Sequence, residues 1–158
     1  MLLQTWDAKG SGEGELNSLG FGGLAVDAND NLFVVDNGNY RIQKFDSDGN
    51  FVTQWGSEGL RDGQFQRAIG IALDAAGNVY VTDDGRPEIQ VFDNDGNFLR
   101  KWGSRGGDDG QFRHPTGIYF FGKTSFFESV NGRFCLTYFC KYANYCFHTF
   151  QPKANSGK

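Results

Sequence analysis

Histidine, cysteine and proline are scarce in this 158-residue chain, at two, three and three residues. Two histidines, His114 and His148, cannot supply the three or four ligands a zinc centre takes, so no metal is expected. The cysteines, Cys135, Cys140 and Cys146, are odd in number and spaced by five and six. That fits neither a complete disulfide framework nor a zinc ribbon. Apolar runs are only a handful of residues long, which excludes a membrane-spanning helix. The first residues, Met-Leu-Leu-Gln-Thr-Trp-Asp, lack the basic stretch, apolar stretch and cleavage site of a signal peptide, and the compartment is left open. No Gly-x-Ser-x-Gly elbow, phosphate loop or His-Glu-x-x-His motif occurs, and no catalytic residue or cofactor is expected.

What the chain has in quantity is glycine, at 23, and phenylalanine, at 16, with three tryptophans. Glycine with aromatics and no helical periodicity suggests short strands joined by tight turns. The charge is uneven. Residues 1–120 hold 10 Lys+Arg against 18 Asp+Glu, while residues 121–158 hold 5 against 1. The last stretch also holds all three cysteines and ten of the 22 Phe+Tyr, which marks two segments of different character.

An internal repeat decides the fold. Val26-Asp27 returns as Leu73-Asp74, 47 residues on, and Asp36 as Asp83. Phe45-Asp46 returns as Phe92-Asp93, Gly49-Asn50-Phe51 as Gly96-Asn97-Phe98, and Trp55-Gly56 as Trp102-Gly103. A third start follows, Gly63-Gln64-Phe65 recurring as Gly110-Gln111-Phe112 and Gly70-Ile71 as Gly117-Ile118. A looser copy opens at Gly14-Glu15-Leu16, with two extra residues before Asp27.

Each unit reads as four short strands. In the first they are Leu24–Val26, Asn31–Asp36, Arg41–Phe45 and Phe51–Trp55. In the second they are Ile71–Leu73, Asn78–Asp83, Glu88–Phe92 and Phe98–Trp102. The Asp-x-Asp-Gly-Asn segments between the last two strands are hairpin turns, where glycine supplies a positive φ. Four strands at this period describe a propeller blade. The expected class is all-β, a partial β-propeller of four-stranded antiparallel blades with two full blades plus flanking strands. Blade I covers about residues 22–56, blade II about 69–103, and blade III starts at 116–120.

The wording of the repeat resembles the NHL family over about residues 2–120. The resemblance rests on Gly110-Gln111-Phe112-Arg113-His114-Pro115-Thr116-Gly117-Ile118, on Asn31 through Phe45, and on Gly49-Asn50-Phe51 through Trp55-Gly56. It implies a ring, six-bladed in propellers of that family, of which this chain holds part. It also implies a binding or scaffold role, with a protein or peptide as partner. An enzymatic remnant, similar to peptidyl-hydroxyglycine lyase or strictosidine synthase, is one alternative, and an RNA-binding domain or a non-functional truncated product are others. No cysteine-rich RING or kinase motif accompanies the repeats, so activities that such domains bring to NHL proteins are not assigned.

A blade buries its apolar faces only against neighbours, so open blade faces point to self-association or to completion by missing repeats. After Phe120 the pattern lapses into a Cys- and aromatic-rich tail, residues 121–158. Two readings stand open for it: frameshifted translation, or a diverged third blade with Asn131-Gly132 as a turn and Arg133–Phe139 as a strand.

Strand order assigns the loops at 37–40, 57–68, 84–87 and 104–115 to one side and the tight turns to the other. Binding residues gather on variable loops of a rigid scaffold. The candidates are therefore Tyr40, Arg61, Arg67, Arg86, Arg105, Arg113 and His114. Five arginines in these loops are balanced by Glu58, Asp62, Asp84, Asp108 and Asp109, whereas RNA would need an excess of positive charge. Nucleic acid is accordingly disfavoured, and mixed charge with arginine and tyrosine suits a protein partner. The turn side carries seven acidic residues, Asp27, Asp30, Asp46, Asp48, Asp74, Asp93 and Asp95. Their turns are too short to supply a calcium ion's six or more oxygens, so turn chemistry accounts for them.

Trp6, Trp55 and Trp102 end outer strands and are expected to pack between blades. Asp36 and Arg41 are expected to pair across their loop. The equivalents are Asp83 and Glu88, so the pair is lost in blade II, with Arg86 as the residue placed to compensate.

Overall fold

A computed structural model describes residues 9–17, 22–108 and 110–121, and the backbone strands at 124–129, 134–138 and 146–149. Trp6 and the strand expected at 2–6 lie outside the described residues, as do Asp109, Asn131-Gly132 and Arg133.

Two four-stranded antiparallel sheets are built in simple sequential order. Blade I comprises β1 (Leu24–Val26), β2 (Leu32–Asp36), β3 (Arg41–Phe45) and β4 (Phe51–Trp55). Blade II comprises β5 (Ala68–Leu73), β6 (Val79–Asp83), β7 (Glu88–Phe92) and β8 (Phe98–Trp102). The strands pair within each repeat and not across repeats. The expected strand limits hold to within a residue, except that β5 begins three residues early at Ala68. A third sheet follows in the same order: β9 (Pro115–Phe121), β10 (Thr124–Ser129), β11 (Phe134–Tyr138) and β12 (Cys146–Thr149).

Matching the two blades residue for residue shows why the repeat is written as it is. Asp46 accepts hydrogen bonds from the backbone N–H of Asp48 and Asn50 and from the Asn50 amide. Asp93 does the same with Asp95 and Asn97. The carboxylates on the turn side thus close their own turns. Gly96, at φ 91°, presents its bare face to Trp55 of the preceding blade. A Cβ there would lie 2.6 Å from the indole.

The core lies between blades. Phe33, Val35 and Ile42 of blade I share one buried cluster with Phe65, Ala68, Ile71, Val79, Val81 and Phe92 of the next repeat. Trp55 wedges into it, 6.2 Å from Phe33 and 5.8 Å from Phe92 by ring centroid. Such edge and tilted aromatic contacts add to the area buried. A second cluster joins Ala72, Tyr80, Ile89 and Val91 of blade II to Phe112 and Ile118. Lys44 reaches across to the turn of blade II, its Nζ 2.5 Å from Asn94 Oδ1.

Candidate functional site

The loops on the far side from these turns are closed structures, not open variable arms. The one at 57–67 starts and ends on a bridge between Glu58 and Phe65. Phe65 is fully buried, and its ring fills the space over Gly56, where a Cβ would come within 2.7 Å. Phe112 repeats this over Gly103 at 2.6 Å. The Gly-Gln-Phe triplet of the repeat is therefore a plug that seals one blade's outer strand to the next blade.

Two buried glutamines, absent from the sequence-based candidates, fasten these loops. Gln43 Oε1 accepts from Gly14 N–H at 2.9 Å and Gln43 Nε2 donates to Glu15 O at 2.6 Å. Gln90 makes the same pair of bonds to Gly63 N–H and Gln64 O, at 2.8 and 2.7 Å. Their recurrence 47 residues apart was the available signal. An interior strand glutamine reads as ordinary alternation unless the packed loop is known.

Asp36 and Arg41 pair at 2.8 Å, both buried. Arg41 also donates to the carbonyls of Ser11, Gly12 and Glu15 and to Gln54 Oε1. In blade II the Asp83 carboxylate takes backbone N–H groups instead, from Gln66, Arg67, Gly85 and Arg86. The guanidinium now comes from Arg86, which donates to the carbonyls of Gly59, Arg61 and Gln64 and pairs with Glu88. Arg86, expected as a surface contact, is a corrected case: its side chain is only 9% exposed, because the loop wraps over it.

The other expected residues divide clearly. Arg61, Arg67, Arg105, Arg113 and His114 are exposed. Tyr40 is half-buried, in the left-handed region at φ 56°, and closes the short helical turn Asn37–Asn39. Arg67 and His114, equivalent positions 47 residues apart, meet on one carboxylate. Arg67 Nη1 lies 3.2 Å from Asp84 Oδ2 and His114 Nδ1 lies 2.9 Å from Asp84 Oδ1. Asp84 is largely covered, while Arg67 and His114 are each 53% exposed. Among the described residues, no group of three or more His, Cys, Asp or Glu side chains is arranged to hold a metal ion. No helix there is long and apolar enough to cross a membrane.

Four-stranded antiparallel sheets placed side by side, with a core between them and inner strands facing a shared concavity, define β-propeller blades. Solved structures agree with this. The chain superposes on a streptogramin B lyase structure with a TM-score of 0.60 at 15% identity, over 85% of this chain and 41% of that one. It superposes on virginiamycin B lyase from Staphylococcus aureus with a TM-score of 0.58 at 14% identity, over 84% of this chain and 41% of that one. At such identities the likeness is one of fold. A family comparison is more specific: residues 22–45 match the NHL repeat model. A stretch of 42 residues is 48% identical to "Protein brain tumor" of Drosophila melanogaster, 27% of this chain and 4% of that protein. The chain thus spans a small part of that relative and under half of the lyase chains.

Proposed function

We propose that this chain is a non-catalytic binding module that receives a protein or peptide partner on its loop face. The observation that supports this reading is the Arg67–Asp84–His114 cluster. One covered carboxylate orients two half-exposed side chains, a guanidinium and an imidazole, from successive repeats, and Arg61, Arg105 and Arg113 lie exposed in the same set of loops. Polar groups held by a rigid scaffold lose little freedom on binding. Arginine contributes heavily to protein interfaces, and an acidic peptide segment is the partner chemistry these groups fit.

Fluorescence anisotropy with a labelled Glu/Asp-rich peptide, a Lys/Arg-rich peptide and a single-stranded RNA tests the reading. The acidic peptide should bind, and Arg67→Glu or His114→Glu should weaken it about tenfold, the scale of one interfacial charge. Tighter binding of the RNA, or peptide binding indifferent to both substitutions, would overturn the proposal.

A further inference from the structure

Among the described residues, two that are not glycine take a positive φ, Asp30 at 62° and Tyr40 at 56°. Aspartate visits the left-handed region readily, because its short polar side chain bonds locally. A bulky side chain held there is a genuine outlier. Tyr40, at φ 56° and ψ 37°, follows the single helical turn Asn37–Asn39. Backbone alone closes that turn, with Tyr40 N–H donating to Asn37 O at 3.1 Å. Glycine or asparagine would close it at less conformational cost. The second blade makes the equivalent corner with Pro87, whose ring fixes a negative φ. A left-handed tyrosine is therefore not something a blade of this repeat requires.

Nor does the ring serve the core. Tyr40 is neither in nor packed against the two buried clusters, and its hydroxyl makes no hydrogen bond to a described residue. Its place is the rim that carries the Arg67–Asp84–His114 cluster. Val35, two residues before Asn37, and Ala68, next to Arg67, share one buried cluster, which sets the start of β5 against the end of β2. His114 enters the third sheet as Arg67 enters blade II, and it meets Asp84, the blade II equivalent of Asn37. By the same equivalence, the entry at Arg67 borders the 37–40 loop that ends in Tyr40.

We propose that Tyr40 is the aromatic anchor of the loop face, and that the partner is an acidic segment carrying an apolar side chain beside its carboxylates. This rests on the acidic-peptide reading above and adds to it the apolar half of the partner. Strained backbone persists where something else fixes it, and such positions cluster at ligand contacts. Tyrosine supplies a rigid, amphipathic contact and is enriched among the residues that dominate interfaces. The ring takes the partner's apolar side chain and the hydroxyl a partner carbonyl, while Arg67 and His114 take carboxylates.

Fluorescence anisotropy on the 158-residue chain tests it, with two labelled Glu/Asp-rich peptides alike except for a central Phe or Ser. The Phe peptide should bind about tenfold more tightly, the scale of one interface hot spot. Tyr40→Asn should bring the Phe peptide down to the affinity of the Ser peptide, and Tyr40→Phe, which keeps the ring, should retain the preference. Asparagine suits the left-handed backbone, so the urea midpoint of Tyr40→Asn should equal or exceed that of the parent. A preference that survives Tyr40→Asn, or a midpoint that this change lowers, would overturn the proposal. If both peptides bind the parent alike, the anchor alone fails; if neither binds, the acidic-peptide reading fails with it.

Discussion

Arg86 sets its guanidinium on the loop carbonyls of blade II as Arg41 does in blade I, although the two residues are offset by two positions in the repeat. Three positions change together. Asn39, Arg41 and Gln54 become Arg86, Glu88 and Lys101. Once glutamate replaces the arginine, its neighbour on the outer strand becomes a cation, with Lys101 Nζ 3.8 Å from Glu88 Oε2 and 2.7 Å from Asp62 Oδ1. The conserved object is a positive charge under the loop, and the residue number that supplies it is secondary.

Arg86→Ala should therefore cost about 3 kcal/mol, since it strips a covered carboxylate of its partner and three carbonyls of their donor. The triple change Arg86→Asn, Glu88→Arg, Lys101→Gln imports the blade I arrangement and should recover most of that loss. Urea denaturation midpoints measure both. A triple variant no better than the single one would show that the clamps are not interchangeable.

Glu88 also predicts a pH dependence. Burial raises its carboxyl above the ordinary 4.5, opposed by Arg86 and Lys101 and reinforced by Asp83 and Asp62. The folded chain then holds this proton more tightly than the unfolded chain. Its contribution favours folding at low pH and declines as pH rises from 4.5 through the raised folded value. Glu88→Gln removes that decline, so the stability difference between variant and parent should shift in the variant's favour between pH 4 and 7. The slope of melting temperature against pH is the readout, because the glutamine also loses charge pairing.

The turn carboxylates act in the opposite sense. The Asn50 amide and backbone N–H groups hold Asp46 below 3.8, and Asn97 with its turn does so for Asp93. Their stabilisation is present above 3.8 and is lost as pH falls through the lower folded values. Asp46→Ala with Asp93→Ala should lower the urea midpoint at neutral pH and flatten its fall in acid. An unchanged acid limb would locate acid sensitivity elsewhere.

Gly96→Val should destabilise by about 2 kcal/mol or more, for two reasons. The left-handed backbone disfavours a β-branched side chain, and the new methyls overlap Trp55. Displacement of Trp55 should shift the native tryptophan emission, which separates this effect from a general loss of stability.

The sequence by itself determined the sheets. A 47-residue period, alternation along each strand and Asp-Gly-Asn turns specify local pairing, and local pairing needs only neighbouring residues. The Asp36–Arg41 pair and the inter-blade place of Trp55 followed from the same register. Only the tertiary structure decided what the loops do. Arg86 and Gln90 read as a loop cation and a strand polar residue, and their burial depends on a segment more than twenty residues earlier folding over them. The meeting of Arg67 and His114 on Asp84 was likewise invisible in one dimension, because it needs two repeats set side by side. Strand pairing is written in adjacent residues, whereas the chemistry of a loop is settled by whatever the chain lays across it.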